Sequence, residues 1–522
     1  MKATNTQSVR IASIIALGGF LMGFDASVIS GVVRFIEPEF GLTKLQLGWA
    51  VGSLTLTSTL AMLFAGRLSD HFGRRNVLKV AAALYAVSAL LSAIAPTFTT
   101  LVLARMIGGL GVGASLIIAP MYIAEIAPPR LRGRLVSINQ LNIVIGISVA
   151  FFSNYFLLQW ARLDTPLVQL LLIDTHTWRW MLGVEALPAI LYFVGLYFVP
   201  MSPRWQIMKG QREEALQTLG ALVGPEEAQK QLAAVVQSLQ KNQNREKVRP
   251  RDLLHPYLRY VLVVGVVLAI LQQITGINAV FFYAPIIFEQ SGIGTDAAFM
   301  QAVLVGLINL VFTVAAMLLI DRVGRKPLLL IGMTGIAITM SLLSWGFGAA
   351  TYQLDAQGID ALELSVDVAP LYALTDVAYA SDIEFKRAMA GALGAEAAAA
   401  NESALIQAAI DINPRLILFA ILGFVASFAI SIGPVMWVMF SELFPLRTRG
   451  LAISFAGFVN SLVSFLVQLV FPWELAAIGT SLTFLLYGLF AAVGLIFVWK
   501  MVPETKNKSL EELEAQLIKK SS

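Results

Sequence analysis

The amino-acid sequence predicts an all-α membrane protein of twelve transmembrane helices, arranged as two six-helix halves that repeat each other. Charged residues make up 13% of the chain and hydrophobic residues 57%, whereas soluble proteins carry roughly a quarter charged residues. The hydrophobic residues form runs of about 20, the length that a helix needs to cross a bilayer, while the strands of a membrane barrel are shorter and alternate in polarity. The composition therefore excludes a soluble globular protein.

Twelve apolar runs stand between polar segments. We predict spans near 11–33, 46–66, 77–95, 99–122, 135–158, 180–200, 258–288, 300–320, 328–349, 414–440, 450–473 and 478–501. The domains that follow are an N-terminal six-helix half (1–200), a cytoplasmic linker with short helices (201–256), a C-terminal half (257–502) and a cytoplasmic tail (503–522) with a helix over 509–520. An extracytoplasmic insertion (350–413) is rich in helix formers, and we expect a small helical subdomain there.

Lysine and arginine fix the orientation of the spans. They concentrate in the loops 66–79 and 129–134, in the linker and in "DRVGRKP" (321–327), which all lie on one side of the membrane if the first span begins inside. The insertion is acidic and falls on the other side. We therefore predict a multi-pass cell (inner) membrane protein with both termini cytoplasmic. The net charge of +4 has this topological explanation, so we expect no nucleic-acid partner.

Two motifs of the basic loops occur once in each half. "GRLSDHFGRR" (66–75) and "IDRVGRK" (320–326) follow spans two and eight, and "EIAPPRLRGR" (125–134) and "ELFPLRTRG" (442–450) follow spans four and ten. Parallel repeats of this kind are typical of rocking transporters. We expect ion pairs within the second motif, from Glu125 to Arg132 and from Glu442 to Arg449, and the alternative is that these loops only fix topology. The residues predicted to gate conformational change are Asp70, Arg74, Glu125, Arg132, Asp321, Arg325, Glu442 and Arg449.

An acidic residue interrupts the first apolar run, in "GFLMGFDASVISG" (19–31). An ionised carboxylate at mid-membrane costs at least about 2.5–3.5 kcal/mol, so Asp25 must be protonated or paired. Arg105, near the start of span four, is the predicted partner, and Glu185 in span six is a second intramembrane acid. A carboxylate that alternates between protonated and paired states is a proton carrier. The alternative is a static structural pair.

Amide side chains lie on several of the spans. Amides suit sugar hydroxyls because each offers two donors and an acceptor without charge, and aromatic rings suit the flat faces of a sugar. Gln273 and Asn278 would point about 140° apart on a regular helix, but a break at Thr275–Gly276 would bring them together. The alternative is hydrogen bonding between helices. The candidate binding residues are Gln140, Gln272, Gln273, Asn278, Asn309, Trp437 and Asn460.

Seven motifs, spread over nearly the whole chain outside the insertion, resemble those of the sugar porter branch of the major facilitator superfamily. They are "GRLSDHFGRR", "RMIGGLGVG" (105–113), "SPRW" (202–205), "QQITGIN" (272–278), "DRVGRKP", "GPVMW" (433–437) and "PETK" (503–506). The resemblance implies the major facilitator fold, sugar binding by the residues named above, and an outer rim formed by Phe282 and Tyr283. Proton-coupled members carry an acid at the position of Asp25, and facilitators typically carry asparagine. Two departures are Met201, where the family has glutamate, and Phe282, where relatives have tyrosine.

The sequence thus predicts a secondary transporter that moves a monosaccharide, a hexose or a pentose, together with protons by alternating access. The alternatives are a facilitative sugar or polyol uniporter with a structural Asp25–Arg105 pair, and a sugar sensor that does not transport. We expect no cofactor and no metal site. The chain has no cysteine, which excludes zinc–thiolate and iron–sulfur ligation, and no phosphate-binding loop, so we expect transport without ATP. Its three histidines fall in predicted loops or the linker, so we expect no enzymatic chemistry. We expect a monomer in the lipid bilayer.

Overall fold

The computed structural model describes residues 2–128, 131–243, 250–255, 258–360, 362, 366–445 and 448–507. Within these residues twelve helical segments are long and apolar enough to cross a membrane, which confirms the predicted fold class. Most of them continue several residues beyond the predicted apolar runs, because the polar residues at their ends are also helical. The predicted tail helix (509–520) lies outside the described residues.

The first five membrane helices are continuous, and the sixth span is built from two short helices and a 3₁₀ turn. α4 begins at a capping box in which the hydroxyls of Thr97 and Thr100 each accept a backbone N–H of the other residue. The helices are α1 (Lys2–Glu39), α2 (Lys44–Phe72), α3 (Arg74–Ala93), α4 (Phe98–Ile126), α5 (Arg132–Ala161), the short α6 (Pro166–Leu170), α7 (Thr177–Gly183) and α8 (Ala186–Gly195), followed by the turn Leu196–Phe198.

Short helices form the linker, and the later spans contain two interrupted helices. The linker holds α9 (Pro203–Met208), α10 (Arg212–Val223), α11 (Pro225–Gln243) and a 3₁₀ turn (Pro250–Leu254). The seventh span is split into α12 (Arg259–Ile274) and α13 (Ile277–Glu289), and the tenth into α20 (Pro414–Ile430) and α21 (Ile432–Leu443). The continuous helices are α14 (Thr295–Val323), α15 (Arg325–Gly348), α22 (Arg449–Ala477) and α23 (Thr480–Met501).

The insertion is a subdomain with its own apolar core. Its helices are α16 (Ala356–Asp360), α17 (Asp382–Leu393), α18 (Ala395–Ala400) and α19 (Glu402–Ala409), with a 3₁₀ turn (Ala369–Leu374). A three-stranded antiparallel sheet, which the sequence analysis missed, has the order β2 (Ala378–Tyr379), β1 (Thr351–Gln353), β3 (Ile410–Asp411). Tyr352, Ile359, Leu371 and Phe385 are buried between helices and sheet. The predicted helical subdomain is therefore confirmed, with a small sheet added.

Charged contacts attach the insertion to the ends of the spans that lie away from the basic loops, here called the outer ends. Glu402 pairs with Lys386 (2.9 Å) and with Lys44 at the start of α2 (3.4 Å), and accepts a hydrogen bond from Gln290 (3.1 Å). Burial alone would raise the pKa of Glu402, but the two ammonium groups lower this pKa to about 2. Asp382 accepts the backbone N–H of Thr480 (3.1 Å) and so caps α23.

The described chain divides by contacts into two compact units. The first comprises Met1–Val28, Ser53–Ala150 and His176–Val248, and the second Ile29–Gly52, Phe151–Thr175 and Arg249–Ser522. The outer ends of α1, α2 and α5 thus belong to the second unit, together with the insertion. The division into halves at residues 200 and 257 follows chain order and stays a prediction.

Replacing Glu402 by glutamine should loosen the insertion, because a neutral amide cannot neutralise the ammonium groups of Lys44 and Lys386. Hydrogen bonds to charged groups contribute about 1.5–3 kcal/mol, so amide hydrogen exchange in α17 and α19 should accelerate roughly tenfold. Hydrogen–deuterium exchange mass spectrometry on the purified protein would measure this. The matched control is Glu396→Gln, at an exposed position of α18, and equal exchange in the two variants would contradict the assigned role of Glu402.

Candidate functional site

Asp25 and Arg105 form the predicted ion pair. Arg105 Nη1 lies 3.5 Å from Asp25 Oδ1, and both residues are 2% exposed. Arg105 Nη2 also donates to the backbone carbonyl of Asp25 at 3.4 Å. A β-carbon on Gly108 would lie 2.9 Å from Asp25 Oδ2 and 2.5 Å from Ser88 Oγ, so only glycine allows α4 to approach this carboxylate so closely. The pairing prediction is confirmed.

A second acid lies close to this pair in the first unit. Glu185 is 3% exposed and sits at the N-cap of α8. Within the described part of the chain, Glu185 Oε1, Asp25 Oδ2 and Arg105 Nε are buried without a hydrogen-bond partner. Tyr85, which the sequence analysis did not single out, is within electrostatic range of both acids. Buried polar atoms without a partner are rare in proteins, and a functional role or a bound water is a common explanation for them.

Four of the predicted amide side chains join in one hydrogen-bonded cluster in the second unit. Asn460 Nδ2 donates to Gln272 Oε1 (2.7 Å), and Gln273 Nε2 donates to Asn460 Oδ1 and to Gln272 Oε1 (3.2 Å each). Asn278 Nδ2 donates to Gln273 Oε1 at 2.7 Å. We call Gln272, Gln273, Asn278 and Asn460 the amide cluster. These amides can release hydrogen bonds to one another and form hydrogen bonds to the hydroxyls of a ligand instead.

The break in the seventh span brings Gln273 and Asn278 together, as predicted. α12 ends at Ile274, and Gly276 has a φ of +92°, a left-handed conformation that favours glycine because it has no β-carbon. The chain then restarts as α13 with a new direction for its side chains. The sequence signal "ITGIN" was sufficient to find this break.

The amide cluster also contacts the second interrupted helix. Gln272 Nε2 donates to the backbone carbonyls of Ile432 (3.3 Å) and Gly433 (3.0 Å) at the start of α21. Ser431, between α20 and α21, has φ −125° and ψ −104°, outside the helical range. Two broken helices therefore meet at this cluster, an arrangement typical of transporter binding sites.

Two residues of the site were missed by the sequence analysis. Ser464 Oγ accepts hydrogen bonds from Asn278 Nδ2 (2.6 Å) and Gln468 Nε2 (2.8 Å). Asn460, Ser464 and Gln468 follow each other at intervals of four residues on α22, and this spacing places them on one helix face. The periodicity of polar residues along an otherwise apolar span was the signal that could have found them.

The remaining candidate binding residues lie in varied surroundings. Phe282 and Tyr283 are 7% and 1% exposed, and the hydroxyl of Tyr283 donates to the carbonyl of Gln468 at 2.9 Å. Asn309 is buried on α14, whereas Trp437 on α21 is 42% exposed. The final candidate belongs to the first unit. Gln140 is exposed on α5.

Arg74, the first residue of α3, is held by two carboxylates. Its guanidinium pairs with Asp70 (2.9 Å) and Glu125 (3.0 Å) and donates to the carbonyl of Ser69 (3.1 Å). Glu125 also accepts a hydrogen bond from the hydroxyl of Ser202. Only 4% of the Arg74 side chain is exposed, so these contacts hold a buried charge.

The same constellation is repeated in the second unit. Arg325, the first residue of α15, pairs with Asp321 (3.0 Å) and Glu442 (2.8 Å) and donates to the carbonyl of Ile320 (3.2 Å). Glu442 accepts the hydroxyl of Thr505 at 2.6 Å, in the place that Ser202 occupies in the first unit. The repeat that was visible in the motifs is therefore a repeat of contacts.

The predicted pairs Glu125–Arg132 and Glu442–Arg449 are wrong. Arg132 is exposed, and Arg449 Nε donates to the carbonyl of Phe444 at 3.0 Å. Each glutamate pairs instead with the arginine that opens the neighbouring helix, α3 or α15. The expected pairs joined residues that are close in the chain. The tight turns between α2 and α3 and between α14 and α15 instead bring an arginine from a distant part of the chain next to each glutamate.

The fold and these polar clusters define a multi-pass membrane transporter. The family model described as "Sugar (and other) transporter" matches residues 11–362 and 388–517. The arabinose–proton symporter of Bacillus subtilis is 33% identical over 98% of this chain and 95% of its own length. The D-xylose–proton symporter of Escherichia coli K12 is 34% identical over 97% and 94%. An inward-open structure of the E. coli xylose transporter XylE aligns with a TM-score of 0.73 and 32% identity, over 97% of this chain and 99% of that one.

The chain belongs to the sugar transporter family of the major facilitator superfamily. It is therefore a transporter and not an enzyme. The gap in the family match, between residues 362 and 388, falls inside the insertion, so part of this subdomain is not shared with the family model.

Neutralising Glu125 should destabilise the protein, because it leaves the buried Arg74 with Asp70 as its remaining carboxylate. Removing a partner from a buried ion pair costs about 3–5 kcal/mol, and the remaining carboxylate should limit the loss for Glu125→Gln to roughly 2–3 kcal/mol. Thermal unfolding of the purified protein would show a lower Tm. The control is Asp296→Asn, which breaks an exposed pair with Arg162 and should change Tm little. An equal decrease of Tm in both variants would contradict the idea that the burial of Arg74 makes its pairing with Glu125 important for stability.

Proposed function

We propose that this protein is a monosaccharide–proton symporter that works by alternating access. The observation that carries the proposal is the carboxylate of Asp25, 2% exposed and 3.5 Å from Arg105 in the first unit. A purely facilitative carrier has no need for an acid at such a costly position. The names of relatives as arabinose–proton and xylose–proton symporters support the same function.

The geometry of Asp25 suits a group that gains and loses a proton. A charge-assisted hydrogen bond between a guanidinium and a carboxylate is about 2.7–2.9 Å long, and the distance here is 3.5 Å. The second carboxylate oxygen has no hydrogen-bond partner among the described residues, so it is available to a proton. When Asp25 is protonated the attraction to Arg105 is lost, and Glu185 is the nearby acid that can respond to the unpaired guanidinium.

The amide cluster is the proposed sugar site. Each amide presents donors and an acceptor without a net charge, which matches sugar hydroxyls and disfavours ions. We propose that Gln272, Gln273, Asn278 and Asn460 bind the hydroxyls of a hexose or a pentose. Asn309, Trp437, Phe282 and Tyr283, which belong to the same unit, complete the site in this proposal. Gln140 of the first unit stays a predicted binding residue.

The two arginine constellations are the proposed gates. Arg74 with Asp70 and Glu125, and Arg325 with Asp321 and Glu442, join helix ends within each unit, and rocking requires such helix-end contacts to rearrange. Arg132 and Arg449 stay candidates for gating contacts in another conformation of the transporter. We further propose the cell (inner) membrane as the location, with both termini cytoplasmic because the basic loops obey the positive-inside rule. The monomer stays a prediction.

A facilitative uniporter is the second candidate. Arg105 bonds the backbone of Asp25 as well as its side chain, which is what a structural pair would do. Asp25→Asn distinguishes the two functions.

The first test reconstitutes wild type and Asp25→Asn in proteoliposomes and measures external pH when candidate sugars are added. Wild type should take up protons with sugar and make the outside more alkaline, because each sugar enters with a proton. Asp25→Asn cannot carry the proton and should lose this signal while sugar exchange persists. The control is Asp164→Asn, at an exposed acid. Sugar flux with no proton signal in wild type would establish the facilitator instead.

The second test concerns the sugar site. Asn460→Ala removes an amide that now bonds Gln272 and Gln273 and that we propose makes two hydrogen bonds to sugar hydroxyls, one as donor and one as acceptor. At about 1 kcal/mol for each hydrogen bond, the Kd for sugar should rise roughly 10- to 100-fold. Titration of the protein with a panel of pentoses and hexoses, followed by tryptophan fluorescence or calorimetry, would measure it. Gln211→Ala, on the exposed linker, serves as control, and an unchanged Kd in Asn460→Ala would move the sugar site away from the amide cluster.

A further inference from the structure

A cavity of about 470 Å³ in the first unit belongs to neither the proton site nor the gates. It lies where the ends of three segments meet: the early part of α1, the start of α3 and the end of the sixth span, with α10 of the linker beside them. Arg10 and Ile14 of α1, Arg75 of α3, Phe198 and Thr218 are among its lining residues. One wall is thus basic and another is apolar.

The basic wall carries positive charges that pair with no carboxylate of the described residues. Arg75 is half-buried and donates from Nη1 to the carbonyl of Val199 at 3.1 Å, but its Nε is buried without a hydrogen-bond partner among the described residues. Lys79 follows one turn later on α3, with its Nζ 3.4 Å from the ring centroid of Tyr197, which also lines the cavity. Arg10 of α1 is exposed and also lines the cavity.

Arg74 and Arg75 are adjacent in the chain but differ in the carboxylates around them. Arg74 is surrounded by two carboxylates, whereas in the part of the chain that the structure describes no carboxylate lies within ion-pair distance of Arg10, Arg75 or Lys79. Like charges one turn apart on a helix repel each other. An anion in the cavity would relieve this repulsion, and the planar guanidinium of Arg75 is well suited to a phosphate group.

The apolar wall restricts the kind of anion. Tyr197 and Phe198 are 58% and 73% exposed at the end of the sixth span, and Ile11 and Ile14 continue the apolar surface on α1. A free inorganic anion gains nothing from such a wall. An amphiphile does, because its headgroup can lie against the arginines while its acyl chains follow the apolar side chains.

We propose that this cavity binds the phosphate of an anionic phospholipid, with Arg75 and Arg10 as its direct ligands and Lys79 contributing positive charge beside it. The lipid belongs to the cytoplasmic leaflet, an assignment that depends on the proposed orientation of the chain. Inorganic phosphate shares the headgroup chemistry and is the alternative source of the anion.

The test is native mass spectrometry of the purified full-length protein with phosphatidylglycerol and with phosphatidylcholine. Wild type should retain phosphatidylglycerol in preference to phosphatidylcholine. In the double variant Arg10→Gln/Arg75→Gln, affinity for phosphatidylglycerol should fall roughly tenfold or more, since each basic side chain near an anionic lipid contributes about 1 kcal/mol. The matched control is Arg67→Gln, an exposed arginine near the end of α2 that does not line the cavity. Lys79→Gln is a milder variant, to be used if the double variant does not fold.

Three results would overturn the proposal. Equal retention of phosphatidylglycerol by all variants would mean only diffuse attraction to the basic surface. A loss in Arg67→Gln as large as in the double variant would mean the same. Displacement of phosphatidylglycerol by inorganic phosphate, together with phosphate protection against thermal unfolding, would assign the cavity to a soluble anion. The assay needs neither sugar nor a proton gradient. A negative result for lipid binding therefore does not contradict the proposed symport, and a negative result for symport does not contradict lipid binding.

Discussion

The burial of charge in an apolar phase is the constraint on which the rest of this structure depends, and the Asp25–Arg105 pair meets it most directly. Both groups are 2% exposed, and an ion removed from water costs several kcal/mol unless an opposite charge offsets the cost. In the proposed mechanism a proton on Asp25 neutralises one partner and leaves the other charged. The guanidinium of Arg105 must then find another partner, so protonation and rearrangement of the helices become one event.

The same physics explains the two arginine constellations. Arg74 and Arg325 each stand at the start of a helix, where the macrodipole is unfavourable for a cation, and each is compensated by two carboxylates and a backbone carbonyl. Glu125 and Glu442 lie on the next helices of their repeats. Because removal of either glutamate leaves the arginine with one carboxylate fewer, these ion pairs hold the ends of the two helices together in each repeat.

Sequence reasoning was successful for features that a single unusual residue reveals. A lone acid in an apolar run identified Asp25, and a glycine between amides identified the break at Gly276. It failed where three-dimensional proximity decided the partner, as for Glu125, whose partner is 51 residues away in the chain. The small sheet of the insertion was also missed, because strands of two or three residues show no periodicity. Ser464 was overlooked because serine occurs often in membrane helices for purely structural reasons.

The insertion adds a constraint of its own at the outer ends of the spans. Lys44 of α2 pairs with Glu402 of the insertion, and Arg34 of α1 pairs with Glu289 at the end of α13. Ser403, next to Glu402, donates to the same Glu289 at 3.1 Å. The outer ends of α1 and α2 are therefore linked to α13 both directly and through the insertion. Any movement that separates these ends from α13 must break both sets of contacts, so the contacts of the insertion add to the free energy that such a movement requires.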